Sequence, residues 1–357
     1  MRIASITGFR YRLPLVAPLA LGSHTIEARD GILVRIEGAE GTTGWGDVAP
    51  LPGFSAESID TARSDLEAAA PSLVGQTASI ALDHVAAWDG ASSVRCGLEM
   101  ALLDAQARGA GSTMPHALST DPRPAVAFNA LVTEGTEGLA GTTRRLRTAG
   151  YRAVKLKVGR GAVEDDIARV WAVHEQVGAM ALRLDANRAW SLEAARRFVE
   201  AVADVPIDYI EEPLADPGAL PRFASETSVP VALDETIQAG ALPGDHSYAA
   251  AVLLKPTLVG GMQAAQRLAH EAARLGMQPV LSASFESGVG LRALVAFAAG
   301  LGTKDVPMGL DTFRRLQTDV IQPRLPLNGP CVIVEDLFPG TEQLNPAVIE
   351  EELSLTP

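Results

Sequence analysis

Nine polar side chains close short apolar runs in the middle of the chain. They are Lys155 and Lys157 in AVKLKV, Asp185 and Asn187 in ALRLDAN, Glu211 and Glu212 in IDYIEEP, Asp234 and Glu235 in VALDET, and Lys255 in AVLLKP. If the runs are strands, residues two apart share a face, so Lys155 and Lys157 point the same way, as do Asp185 and Asn187. Adjacent acids point to opposite faces, so one member of each pair can reach a central ligand and the other supports it. Three carboxylates on successive strands suit magnesium, a hard octahedral cation that manganese can replace, whereas zinc would call for His or Cys ligands. A lysine on a buried strand needs a reason. A nearby divalent cation disfavours the ammonium form, and a neutral amine can act as general base. The proton within its competence is one alpha to a carboxylate, with the metal's charge stabilising the enediolate.

The elements that would position these groups are legible as a repeat. Apolar runs at 125–131, 153–158, 181–185, 207–211, 229–234, 251–255 and 278–283, with a weak eighth near 306–310, begin roughly 20 to 30 residues apart, as successive βα units do. They are too short for helices and continuously apolar, as strands buried on both faces are. Amphipathic stretches at 136–149, 191–202 and 261–275 lie between them. Eight such units predict an α/β chain closed into a (β/α) barrel of modified TIM type, whose active site lies at the C-terminal ends of the strands. A doubly wound open sheet is the alternative, but no glycine-rich nucleotide loop follows the first strand.

Residues 1–120 read as an α+β capping domain, 121–320 as the barrel, and 321–357 as a tail packing back on the cap. Strands are expected at 3–13 and 31–37, loops at 14–30 and 46–58, and helices at 57–73 and 92–108. PAVIEEEL in the tail reads as a short helix.

Composition narrows the function classes. The 357 residues are 47% hydrophobic and 20% charged, with a formal net charge of -13. No basic stripe is available to neutralise phosphates, so nucleic acid is not an expected partner, and an anionic membrane surface would repel the chain. No apolar run approaches the 18 or so residues of a membrane span. The start, MRIASITGFRYRLPL, lacks the apolar core of a signal peptide, so the cytoplasm is the expected location. Two cysteines, Cys96 and Cys331, make no disulfide framework and no CxxC pair. A small-molecule carboxylate is the expected partner, and a homo-oligomer is open.

The order KLK, DAN, EEP, DE and LKP along a barrel preceded by an α+β segment resembles the muconate-lactonising subgroup of the enolase superfamily. Four further stretches are similar to o-succinylbenzoate synthases: GWGDVAPLPGFSAES at 44–58, LLKPTLVGG at 253–261, SASFESGVG at 282–290 and GLDT at 309–312. The resemblance implies that Lys157 removes the alpha proton, that Asp185, Glu211 and Asp234 bind magnesium, and that Lys255 stabilises the enediolate from the opposite face. Lys155 and Asn187 would contact substrate or support the ligands, and Glu212 and Glu235 would hold neighbouring groups in place. Ser282, Ser284 and the backbone at Gly309 would hold a succinyl carboxylate, although SASFESG reads equally well as a structural connection. Loops at 19–25 and 50–54 would lie against the ring and the succinyl tail, with Ser23 and His24 reading more readily as plain loop residues. The implied reaction is dehydration of 2-succinyl-6-hydroxy-2,4-cyclohexadiene-1-carboxylate to o-succinylbenzoate, a step towards menaquinone or phylloquinone. The same parts serve N-acylamino acid racemases, dipeptide epimerases and muconate cycloisomerases, and a barrel that lost its chemistry would be a binding protein.

Overall fold

The computed structural model describes residues 1–356 apart from 22–23, 133–137, 239, 243, 245–246, 302–304 and 341–342. The chain opens with a long hairpin of β1 (Ile3–Leu21) and β2 (His24–Gly38), followed by β3 (Thr43–Val48). Alternation along β1 buries Tyr11 and Leu13 and leaves Arg12 and Pro14 exposed. Of the stretch 14–30, expected as a loop, residues 14–21 and 24–30 instead form the outer arms of this hairpin. Pairing runs to Pro14↔Ala28, breaks, and resumes at Leu19↔Ile26. Proline has no N–H for the ladder, so the break falls where it stands. Ser23 lies outside the described residues.

Three helices cover the sheet: α1 (Ile59–Leu73), α2 (Ala78–Ala87) and α3 (Ser92–Gly109). Ser58 starts α1 by accepting the Thr61 N–H. β3 carries Gly44 and Gly46, which disguise it as a loop. A side chain at Gly46 would collide with the Gly97 carbonyl, and one at Gly44 with the Ala101 carbonyl. These glycines let α3 lie directly on the sheet, which is why α3 is buried on nearly all sides.

After α4 (Met114–Leu118) the barrel begins. Its first strand splits into β4 (Ala125–Ala127), which pairs antiparallel with a tail strand, and β5 (Ala130–Val132). Then follow α5 (Leu139–Thr148), β6 (Ala153–Lys157), α6 (Val163–Val177), β7 (Ala181–Asp185), α7 (Leu192–Ala201), β8 (Ile207–Glu211), α8 (Leu220–Thr227), β9 (Val231–Leu233), β10 (Ala249–Leu254), α9 (Pro256–Val259), α10 (Met262–Arg274), β11 (Gln278–Leu281) and α11 (Gly288–Gly300). The strands from β5 to β11 pair in chain order, all parallel. Met308 and Gly309 close the ring through parallel bridges to Phe128 and Ser282. The eighth strand is therefore two residues long, which explains its weak sequence signal. Fully buried Leu156, Leu184, Ile210 and Leu254 show why these runs are apolar throughout.

The tail supplies β12 (Ile321–Gln322), β13 (Cys331–Ile333), β14 (Gln343–Leu344) and β15 (Ile349–Ser354). β13 pairs with β4, and β15 pairs antiparallel with β1 from Thr7↔Ser354 to Tyr11↔Ile349. PAVIEEEL is thus a turn leading into a strand from Ile349, rather than a helix. The open edge of β1 offers it backbone partners, and its acids face Arg10 and Arg63.

A buried polar seam joins cap to barrel. Asp47 of β3 accepts hydrogen bonds from the Tyr11 hydroxyl at 2.8 Å and from the Ser287 N–H and hydroxyl at 2.9 and 2.8 Å. Asp319 accepts the Gly288 N–H at 2.8 Å. Both acids thus sit at the N-terminus of α11, where the helix dipole favours negative charge. Arg29, almost wholly buried, donates to the carbonyls of Ala49, Pro50 and Phe285 and ties the 50s loop to the barrel rim.

Candidate active site

In a ring of eight, β6 and β10 lie four strands apart, so Lys157 and Lys255 approach from opposite sides of the barrel mouth. Between them along one arc stand β7, β8 and β9, which end in or lead directly into Asp185, Glu211 and Asp234. Lys155 Nζ lies 2.8 Å from Glu211 Oε2 and 3.1 Å from Asp185 Oδ2. Lys157 Nζ lies 2.6 Å from both Asp185 Oδ2 and Asn187 Oδ1. Lys255 pairs with Asp234 and sits 5.7 Å from the centre of the Phe54 ring, a cation–π contact from the cap. The structure therefore brings Lys155, Lys157, Asp185, Asn187, Glu211, Asp234 and Lys255 into one cluster.

Of the adjacent acids, Glu211 and Glu212 point apart as strand parity requires, whereas Glu235 shares the mouth with Asp234, because the chain leaves β9 at Leu233 and turns into a short 3-10 helix. Glu212 faces away from the centre. Its Oε1 accepts the N–H groups of Asp234 and Thr236 at 2.9 and 2.7 Å, and its Oε2 accepts from Arg188 at 2.9 Å. It thereby fixes the turn that presents Asp234. Glu235 accepts from Asn187 Nδ2 at 3.0 Å. Asn187, Arg188 and Glu212 have φ of 43°, 60° and 41°, in the left-handed region that non-glycine residues seldom occupy. Such strain clusters where a fold over-determines a functional geometry.

The electrostatics are unbalanced. Four acids, Asp185, Glu211, Asp234 and Glu235, face three lysines, all largely buried. Burial pulls the Lys155 ammonium down, but Glu211 and Asp185 together outweigh it and carry it well above its ordinary value. Burial likewise opposes Lys255, and Asp234 and Glu211 overcome it. Lys157 and Lys155 outweigh burial to hold Asp185 below the usual carboxylate range. Burial and the neighbouring charge of Asp185 push Glu211 well up. A divalent cation among the three acids would relieve that repulsion, and an all-oxygen donor set fits a hard ion. Here each acid is turned onto a lysine, and among the described residues no His, Cys, Asp or Glu group is gathered in ligand geometry.

A cavity of about 660 Å³ lies over this cluster. Leu19, Leu21, Leu51 and Phe54 of the cap roof it, and Lys155, Lys157, Asp185, Asn187, Glu235 and Lys255 form its floor. Ser282 and Gly309 line one wall. Ser284 is fully buried, with its N–H bound to Glu286 at 2.6 Å, and it is not among the lining residues. Asn129, Arg160, Gln238, Phe285, Asp311 and Thr312 also line the cavity, and sequence reasoning missed them. Asp311 and Thr312 in GLDT and Phe285 in SASFESG lay within stretches that stood out, but Asp311 and Thr312 follow a strand too short to assign their direction.

Residues 139–341 match the family model of the enolase C-terminal domain-like family, and residues 1–105 match that of the MenC N-terminal domain. An o-succinylbenzoate synthase from Yersinia pseudotuberculosis is 34% identical over 346 residues, covering 94% of this chain and 98% of that protein. Among solved structures, the N-succinyl Arg/Lys racemase from Bacillus cereus superposes with a TM-score of 0.86 at 22% identity, covering 99% of both chains. The dipeptide epimerase from Cytophaga hutchinsonii, complexed with Mg and the dipeptide D-Ala-L-Val, superposes with a TM-score of 0.82 at 21% identity, again covering 99% of both. At those identities the two structures establish the fold alone. The model match over more than half the chain and the near full-length relative establish the rest: this is an enzyme of the enolase superfamily, and within it the chain belongs to the o-succinylbenzoate synthase family.

Proposed function

We propose that the protein dehydrates 2-succinyl-6-hydroxy-2,4-cyclohexadiene-1-carboxylate to o-succinylbenzoate. The observation that carries this is the pair of lysines on opposite sides of the mouth, with three acids on the arc between them. Asp185, Glu211 and Asp234 would hold magnesium, which supplies positive charge to the substrate carboxylate as the adjacent carbon loses its proton. The substrate ring lies between Lys157 and Lys255 under Phe54. Lys157 Nζ, freed from Asp185, takes the alpha proton as general base. The same ammonium then gives that proton to the departing hydroxyl on the same face of the ring, so water leaves and the ring becomes aromatic. Lys255 keeps its proton and faces the enediolate as a fixed positive charge. Asn187 orients Lys157, and Glu212 holds the Asp234 turn. The product would serve menaquinone or phylloquinone synthesis.

Following the ultraviolet absorbance of the cyclohexadiene with the magnesium-loaded protein tests this directly, since aromatisation changes the spectrum. No change would overturn the proposal. The opposed lysines also favour a second reading, in which one amine removes an alpha proton and the other returns one to the opposite face. That would racemise N-succinylamino acids. Wash-in of deuterium at the alpha carbon in D₂O reports it.

A further inference from the structure

The ring order fixes which wall a bound substrate's tail must meet. Glu211 closes β8, the fourth member of the ring counted from β5, and Met308–Gly309 is the eighth. The two are diametrically opposed. A ring carboxylate held at the acids of β7, β8 and β9 therefore sends its substituent towards the eighth member and its neighbours. That wall carries Ser282, Asp311 and Thr312. A carboxylate there is unexpected if the substrate is itself a dicarboxylate.

The surroundings of Asp311 explain it. The side chain lines the cavity yet is only 3% exposed. Its Oδ2 accepts the Tyr151 hydroxyl at 2.7 Å and lies 3.3 Å from Arg314 Nη2. Its Oδ1 has no protein partner, and neither has the Thr312 hydroxyl. Because two donors claim Oδ2, a proton on this carboxyl belongs on Oδ1. The charged and titratable groups facing Asp311 are Tyr151, Arg314 and Arg315. Burial prevails over these and pushes the carboxyl up to about 6, so the neutral acid is within reach near neutral pH. A neutral acid can donate to a carboxylate, and an ionised one repels it.

We propose that Asp311 reads the tail of the substrate: protonated on Oδ1, it donates a hydrogen bond to the tail's carboxylate, and once ionised it rejects that carboxylate. This rests on the function proposed above and adds a specificity residue to it. The assignment makes binding of tailed ligands pH-dependent while leaving ligands that have only the ring carboxylate untouched.

The test compares o-succinylbenzoate with benzoate as ligands of the magnesium-loaded protein between pH 5.5 and 8, by calorimetry and by competitive inhibition. Their carboxylates are ionised over most of this range. Affinity of the wild type for o-succinylbenzoate is expected to fall about tenfold as pH rises through the titration, a change of the size a partly screened like charge produces. Asp311→Asn, which keeps the shape and a permanent donor, is expected to flatten the profile. Arg314→Gln removes a partly exposed cation that favours the ionised form, so the fall should move to higher pH. Benzoate should show no matching change in any of the three proteins. An unchanged slope in Asp311→Asn, or an equal slope with benzoate, overturns the role of Asp311. Should Asp311→Asn fail to fold, an unmoved midpoint in Arg314→Gln overturns it instead. Failure of the wild type to aromatise the cyclohexadiene at any pH overturns the functional reading itself.

Discussion

The barrel mouth and the cap–barrel seam are both buried polar networks, and they balance their charge in opposite ways. In the seam, Asp47 and Asp319 are met mainly by N–H groups at the start of α11 and by hydroxyls. Arg29 spends its donors on three carbonyls. Nothing there has to move. At the mouth, acids are met by ammonium groups on flexible stems, one of them contacting two acids at once. Neutral hydrogen bonds suit a joint that must hold one shape. Opposed full charges cost more to desolvate but can be exchanged, one cation for another, when a substrate arrives. Buried charge that is only partly matched is thus a mark of the working site, and buried charge met by backbone a mark of the scaffold.

This contrast can be broken first at the mouth, where effects should be largest. Removing the metal with EDTA is expected to abolish aromatisation of the cyclohexadiene, with recovery on adding magnesium. Turnover persisting in metal-stripped protein would show that the lysines and acids suffice alone. Lys157→Ala should come next, lowering kcat by about 10³ to 10⁴-fold, the scale of a lost general base. Metal affinity should survive the change, and circular dichroism should match the wild type. A variant that still exchanges the alpha proton at the wild-type rate would move the base elsewhere.

Much of the mouth was readable in the sequence, for a definite reason. Lys155 and Lys157, or Asp185 and Asn187, declare their common face through a spacing of two, and charge at the end of an apolar run is conspicuous. Glu212 could be set apart from Glu211 by parity alone, although its partner Arg188 could not be named. The seam was not readable. GWGDV and SASFESG each stood out as stretches, but that Asp47 bonds Ser287 across 240 positions is a tertiary fact. β3 was hidden by the two glycines that let α3 approach. β15 was hidden because an EEE run suggests a solvated helix unless the β1 edge is known to be open. Asp311 was passed over because a two-residue strand gives no parity.

In the seam the expected effects are smaller and fall on stability. Asp47→Ala strips the acceptor from the Tyr11 hydroxyl and from both Ser287 donors, all buried, and should cost about 3 kcal/mol in urea unfolding. A loss below about 1 kcal/mol would mean that the seam repacks and is not the rigid joint described here.

The subtlest effect concerns pH, where Asp185 at the mouth and Glu286 in the seam should diverge in sign. Lys157 and Lys155 hold Asp185 below its ordinary value, so its share of stability is present above the usual carboxylate range and lost as pH falls. Glu286 in the seam is the reverse. It is fully buried, accepts from the Ser284 N–H and the Thr257 hydroxyl, and burial pushes it up to about 7. A carboxyl raised in the fold contributes stability that is complete below its unfolded value and declines as pH climbs through the folded one. The neutral isostere Glu286→Gln can still accept from Ser284 and can donate to Thr257, whose hydroxyl rotates. Its stability relative to wild type should therefore improve by about 2 kcal/mol between pH 5 and pH 8, read from paired urea titrations. Parallel pH curves for the two proteins would mean that Glu286 keeps its charge in the fold, and the seam would then be a charged network of the same kind as the mouth.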